Sequence, residues 1–170
     1  MTLDEFVLLA KVLKSAYTAP SFLPDEYSVK VWHKFLADLP FDIANLAVQQ
    51  YIATNRFPPT ISDIRESTAG LMAGERKDWS ESWKWVCRCI SVYGMPNEAK
   101  AYADMDEYTK EAVKRIGWKN LCMSQNQTAD RANYRMIYES VVKEKLEQLA
   151  LPEGLRLKLK DTKLLGETDD

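Results

Sequence analysis

The sequence predicts an all-α protein: two small helical bundles joined by a short linker, with a flexible C-terminal tail. Three observations carry that prediction. Helix breakers are few, six Gly and seven Pro in 170 residues, and most fall between apolar stretches. Those stretches repeat their apolar residues every three or four positions, the period of a helix with one buried face. Hydrophobic residues make up 46% and charged residues 28% of the chain; that is a globular balance, with enough apolar surface to fill a core.

The first helix opens on Thr2-Leu3-Asp4-Glu5, a capping box in which Thr2 caps and Glu5 reaches back. Phe6, Leu9, Ala10, Leu13, Ala16 and Tyr17 then line one face, and Pro20 and Pro24 end the run. A second helix is expected from Asp25 to Asp38, burying Val29, Trp32, Phe35, Leu36 and Leu39. After Pro40, Asp42 caps a third with Ala44, Ala47, Val48 and Tyr51 inward. Pro58 and Pro59 hold the chain open until Thr60, with Asp63 three residues on, starts a fourth. These helices define an N-terminal domain, residues 1–72. Ala73-Gly74-Glu75-Arg76-Lys77 carries no large apolar side chain and reads as the linker.

The C-terminal domain is expected over 78–150. Asp78 caps a helix in which Trp79, Trp83, Val86, Ile90 and Tyr93 form one apolar row and Trp85, Cys89 and Val92 a second. Gly94-Met95-Pro96 stops it. A short helix follows at 97–103 and another at 106–116, closed by Gly117. Asn126 or Thr128 opens a last long helix to about Leu149, with Tyr134, Ile137, Tyr138, Val141, Val142 and Leu149 inward. In residues 151–170 the Leu155-Arg156-Leu157-Lys158-Leu159-Lys160 alternation has period two. A lone edge strand has nothing to pair with, so this stretch reads as a mobile tail able to order on a partner.

Charge argues against a dedicated nucleic-acid binder. The formal net charge is −2, and residues 1–72 carry six basic and eight acidic groups, residues 73–150 thirteen and twelve. Phosphate backbones are normally met by a basic surface, and no segment supplies one globally. Three cysteines, Cys87, Cys89 and Cys122, are too few and too awkwardly spaced for a disulfide framework. The start of the chain lacks a basic-then-apolar leader, and no apolar run approaches the roughly 20 residues of a membrane span. A soluble cytoplasmic protein is expected.

Catalytic constellations are missing from the sequence, and neither enzymatic activity nor a cofactor is expected. His33 is a lone helical histidine, and Cys87-Arg88-Cys89 has the wrong separation for a zinc site. There is no Gly-x-x-x-x-Gly-Lys-[Ser/Thr] loop to cradle phosphates. Asp104, Asp106 and Glu107 read as helix-start residues that complement the dipole. Two surfaces stand out instead. The cluster of Trp79, Trp83 and Trp85 reads first as core, but with Trp118 and Tyr134 these residues are also candidates for binding a protein partner, since aromatics concentrate at interface hot spots. Lys110, Lys114, Arg115, Lys119, Arg131 and Arg135, interleaved with aromatics, are candidate nucleic-acid contacts. Glu107 and Glu111 sit within a helical turn of Lys110, Lys114 and Arg115, which equally allows surface pairing along a helix.

Phe6…Ala16-Tyr17…Phe22, then Val31-Trp32…Leu36-Ala37-Asp38-Leu39-Pro40-Phe41, then Tyr51…Phe57-Pro58-Pro59-Thr60-Ile61-Ser62-Asp63-Ile64, resembles the phage loader/inhibitor proteins of the replicative helicase. The resemblance covers about residues 1–70, mostly at core and turn positions. Ala112-Val113-Lys114-Arg115-Ile116-Gly117-Trp118 and Asp130-Arg131-Ala132…Tyr134…Tyr138 look like C-terminal regions of similar phage replication proteins. The resemblance implies an adaptor in the host bacterial cytoplasm. Such an adaptor binds the hexameric helicase, keeps it off DNA or idle as an ATPase, and delivers it to an origin-bound initiator. In that family the helicase-contacting part is C-terminal and flexible, whereas here the chain reads as ordered to about Leu149, so no individual contact residue is transferred. A DNA-binding replication organiser and an inhibitor of another host replication protein are the alternatives.

Overall fold

The structure, a computed structural model, describes residues 1–166. Among them there are helices, turns and no strand. Contacts divide the described residues into two units, one formed by residues 1–74 together with residues 146–166, the other by Glu75–Lys145.

The first unit is built on four helices whose starts are set by local chemistry. Helix α1, Leu3–Ala16, has the capping box complete: Glu5 N–H donates to Thr2 Oγ1 at 3.2 Å and Thr2 N–H to Glu5 Oε2 at 2.7 Å. Asp25 caps α2, Glu26–Leu36, by accepting from Ser28 N–H at 2.7 Å. Helix α3, Phe41–Thr54, begins straight after Pro40, whose extended backbone serves as the cap. Asp42 is therefore a first-turn residue complementing the helix dipole rather than the cap expected of it. Thr60 and Asp63 form the second capping box, at the head of α4, Ile61–Met72. Phe6, Leu9, Leu13, Leu36, Val48 and Ile64 make the core, and Phe22 stands edge-on to Trp32 at 5.6 Å. Ala16 and Phe35, both expected inward, are exposed, Phe35 at 39%. Each lies at the C-terminal end of its helix.

One charged residue lies inside this unit. Arg65, on α4, is 4% exposed. Its guanidinium meets Asp38 as a fork, at 2.7 and 2.9 Å, and also donates to the carbonyls of Phe35 and Ala150. All these partners are polar groups at helix ends, so the buried charge is answered on several sides.

The described part of the tail is helical. Glu153–Gly166 forms a helix, α10, and its first N–H, that of Glu153, donates to Asp38 Oδ2 at 3.1 Å. A two-residue alternation also places leucines four apart, and Leu155 and Leu159 share a helix face as readily as a strand face. Residues 167–170 of the expected tail lie outside the described residues.

The second unit starts where the linker ends. Asp78 caps α5, Trp79–Tyr93, accepting from Ser80 and Glu81 N–H. Gly94 turns the chain at φ 63° into a single 3-10 turn, Met95–Asn97, and then α6, Glu98–Ala103. Asp106 caps α7, Glu107–Ile116, and Gly117, at φ 95°, ends it. A short helix beyond those the sequence predicts, α8, Trp118–Met123, follows. The long α9, Gln127–Ala150, opens under Asn126, whose side-chain oxygen accepts from Ala129 N–H at 3.1 Å.

The core of this unit is aromatic and hydroxylic. Trp118, Tyr134, Tyr138, Val86, Val113 and Val141 fill it. Within it Ser82 Oγ is hydrogen-bonded to the Tyr134 hydroxyl and, at 2.6 Å, to Thr109 Oγ1, which bonds Asp106 Oδ2 at 2.7 Å. A carboxylate only accepts, so the donors run one way: Tyr134 to Ser82, Ser82 to Thr109, Thr109 to Asp106.

Candidate partner and nucleic-acid surfaces

On α5 the innermost face is small, Ser82, Val86 and Cys89, and the tryptophans flank it. Trp79, Trp83 and Trp85 are half-buried, each with part of its ring accessible. Trp85 donates its indole N–H to the Asp104 carbonyl at 2.9 Å and carries Lys77 and Arg88 against its ring, both at 5.0 Å. Val92, placed by its spacing in the second apolar row, is 64% exposed.

Trp118 and Tyr134 require a correction. Trp118 is 1% exposed, its indole N–H donating to the Gly94 carbonyl at 3.3 Å, and Tyr134 is fully buried. Both are core residues and offer no surface to a partner. The glycine stop before Trp118 turns the ring inward instead of leaving it uncovered. Burial pushes the Tyr134 and Tyr138 hydroxyls above the ordinary tyrosine range, Tyr138 to about 12. Burial likewise pushes up the thiols of Cys87, Cys89 and Cys122, all of them free. His33 faces the Met1 carbonyl at 3.2 Å and the Phe6 ring at 6.0 Å.

The six candidate nucleic-acid contacts do not form one face of free charge. Lys110 pairs with Glu107 at 2.8 Å. Arg115 pairs with Glu111 at 3.2 Å and, as a fork, with Glu144 at 2.8 and 2.9 Å. The Glu144 and Glu111 hydrogen bonds hold its guanidinium still more firmly protonated. Lys114 stands 6.0 Å from the Tyr102 ring, and Lys119 is exposed. Surface pairing accounts for Lys110 and Arg115.

Arg131 and Arg135 are placed differently. Their guanidinium carbons lie 5.2 and 5.0 Å from the centre of the Trp79 ring, and Arg135 also pairs with Glu139 at 2.8 Å. Arg131 borders a groove of about 350 Å³ lined by Ser80, Trp83, Lys84, Gln127 and Thr128. Ser80, Lys84, Gln127 and Thr128 are not among the residues the sequence singles out. They gather because the first turns of α5 and α9 meet here, and their spacing along the chain gives no sign of it.

In the first unit a wider groove, about 650 Å³, runs between the end of α2 and the start of α10, with Phe35, Ala37, Pro152, Leu155 and Leu157 as its apolar wall. Burial alone would raise the Asp38 carboxyl at its edge. The Arg65 hydrogen bonds and charge, helped by the Glu153 N–H, outweigh that and hold it below the usual carboxylate range. Leu155, Leu157 and Leu159 are each about half exposed. Among the described residues no cluster of three or more His, Cys, Asp or Glu is poised for a metal, and no helix is long and apolar enough to cross a membrane.

Fold and surfaces together define a small all-α protein whose accessible features are grooves at helix ends, bordered by aromatic and apolar side chains. The particular relationship is narrower. Residues 1–65 match the family model for the N-terminal domain of gp39P-like proteins, the helicase inhibitors and loaders of phage. That match spans α1 to α3 and the first turn of α4, and it covers most of the N-terminal stretch of resemblance, while the likeness at residues 112–118 and 130–138 lies outside it. No curated protein and no solved structure matches the chain.

Proposed function

We propose that this protein is a non-enzymatic adaptor of phage DNA replication, acting in the host cytoplasm. It binds a hexameric replicative helicase and governs its loading, its ATPase or its access to DNA, and an origin-bound initiator is its second partner. The match of residues 1–65 to the helicase loader/inhibitor domain carries this reading. The sequence offers no phosphate-cradling loop, so work on a helicase ring must come from binding one state of the ring more tightly than another.

The contact is proposed to include α10. Its leucines and Phe35 leave an apolar surface open, as docking surfaces do. Trp118, being core, drops out of the contact. Titration calorimetry of the full chain with the phage or host replicative helicase tests the proposal. Saturable binding is expected, with Leu155→Lys/Leu157→Lys weakening it by about 1 kcal/mol or more, the scale of a hot spot, while circular dichroism stays unchanged. Absence of binding at micromolar concentrations overturns the adaptor reading. Unchanged affinity in the double variant removes α10 from the contact.

A further inference from the structure

We propose that the groove between the first turns of α5 and α9 binds single-stranded nucleic acid, seating one base against Trp83 and the flanking phosphates on Lys84 and Arg131. This site does not depend on the helicase reading.

The groove has three kinds of wall, and each matches one part of a nucleotide. Trp83 packs against Tyr134 at 5.2 Å between ring centres, and the rest of its ring faces the groove. A flat, half-buried indole backed by a fixed aromatic is a stacking platform, and any base has a face to lay on it. Lys84 and Arg131 stand at the rim. Neither has an ion-pair partner within 4 Å among the described residues. Arg131 is oriented by lying over the Trp79 ring, which spares part of the ordering cost of binding. The remaining wall is neutral and polar, with the hydroxyls of Ser80 and Thr128 and the amide of Gln127 in reach of a base edge. The volume, about 350 Å³, lies at the small end of ligand pockets, where a single nucleotide belongs.

The helix ends add little. Asp78 already takes the Ser80 and Glu81 N–H groups, and Asn126 takes that of Ala129. Of the acids nearby, Asp78 is taken by its cap and Glu139 by Arg135, while Glu81 and Asp130 stand in the first turns of α5 and α9 and set a local negative charge that the two cations offset. An acidic protein segment would satisfy the two cations but leave the Trp83 face and the amide-hydroxyl wall without a counterpart. A nucleic-acid strand uses all three. The net charge of −2 makes this a short, local contact of one or two phosphates with a correspondingly shallow salt dependence.

The test is fluorescence anisotropy of a labelled twelve-nucleotide oligothymidylate with the full chain, at roughly 50 mM salt and upward. Expected is saturable binding. Lys84→Ala/Arg131→Ala should weaken it at least tenfold and flatten the slope of log K against log salt by about 1.4, or about 0.7 per lost phosphate contact. Trp83→Leu should weaken it roughly 5- to 150-fold, the range for one lost base stack. Lys11→Ala, on α1 of the first unit, should bind within about twofold of the unaltered chain. The double variant changes only side chains at the groove rim, so it keeps the proposal falsifiable even if Trp83→Leu unfolds. Three results overturn it: no binding at the lowest salt, unchanged affinity in the double variant, or equal competition by polyglutamate of the same charge. The last would make the groove a site for acidic protein segments.

Discussion

The two units solve the same problem, ordering a small set of helices, with opposite polar devices. The first buries a charge: Arg65 forks onto Asp38 and reaches two carbonyls, drawing together residues 27, 30 and 85 positions away in the chain. The second buries a neutral relay of hydroxyls, Tyr134 to Ser82 to Thr109, which ends on the partly exposed Asp106. A buried ion pair contributes little net stability, because desolvation consumes most of its attraction, yet breaking it leaves an uncompensated charge. Each neutral hydroxyl bond contributes roughly 1 kcal/mol and tolerates loss better. The first device therefore specifies which distant segments meet. The second specifies how α5, α7 and α9 are rotated against one another.

This contrast breaks first at the cores. Trp118→Ala should cost about 4 kcal/mol, the scale for emptying a buried aromatic site, and should lower only the second unit's transition. Trp32 is the one tryptophan of the first unit, so a chain with the other four replaced by Phe reports that unit alone in denaturant titrations. If that chain with W118A in place of W118F shifts the Trp32 signal as much as it shifts the second unit's own transition, the units do not melt separately.

Arg65→Met should cost about 3 kcal/mol by leaving Asp38 without its counter-charge and two carbonyls without their donor, this time in the first unit. Arg65→Met combined with Asp38→Leu should recover a good part of it. Failure of the pair to recover would mean that the charge itself, and not its removal, holds the unit together.

A third expectation concerns alkali. The Tyr138 hydroxyl titrates at about 12 in the folded chain against an ordinary 10. A raised pKa favours the protonated, native form, so its contribution is intact below about pH 10 and lost as pH climbs through about 12. The loss is on the order of 2 kcal/mol, and Tyr134 acts in the same direction. Tyr17 and Tyr51 of the first unit also shift upward through burial, so the sharp test is order. The second unit should unfold first in an alkaline titration followed by tyrosinate absorbance, and Tyr138→Phe should delay it. On the acid side both units weaken. The depressed carboxyls of Asp38 and Asp106 stabilise above the unfolded carboxylate pKa and lose that contribution as pH falls through their folded values.

The smallest expected effect is at a helix start. Thr2→Ala removes half of a capping box and should cost about 1 kcal/mol, seen as faster amide exchange over the first turn of α1. No change there would leave the core packing of Phe6 and Leu9 as the whole reason for that helix.

What could be seen in the sequence was what short-range chemistry decides. Thr2 with Glu5, Thr60 with Asp63, Asp78, Asp106 and Gly117 mark helix ends through contacts at most four residues away, and the structure keeps every one. What stayed hidden depends on distance along the chain. Nothing in Ile64-Arg65-Glu66 announces that Arg65 is buried, since its partners lie on α2 and at the end of α9. Trp118 reads as exposed from the sequence because Gly117 ends one element, when it also begins α8. The candidate site was half legible. Trp83 and Arg131 have the right chemistry to notice, whereas Lys84, Gln127 and Thr128 matter only because two helix starts meet.

Asp38 and Arg65 also bear on how the chain is made. Their last partners, the Ala150 carbonyl and the Glu153 N–H, are translated some 85 residues after Arg65. At about 5–20 residues per second that is a wait of roughly 4–17 s. During that interval α1 to α4 can assemble, but the guanidinium at their edge lacks one acceptor and remains open to water. The whole second unit is synthesised and free to fold within the pause. A chain cut before residue 150 therefore carries a half-closed first unit, more open to proteases than the full chain. The final turn of α9 sets the moment at which the first-made part of the chain becomes safe.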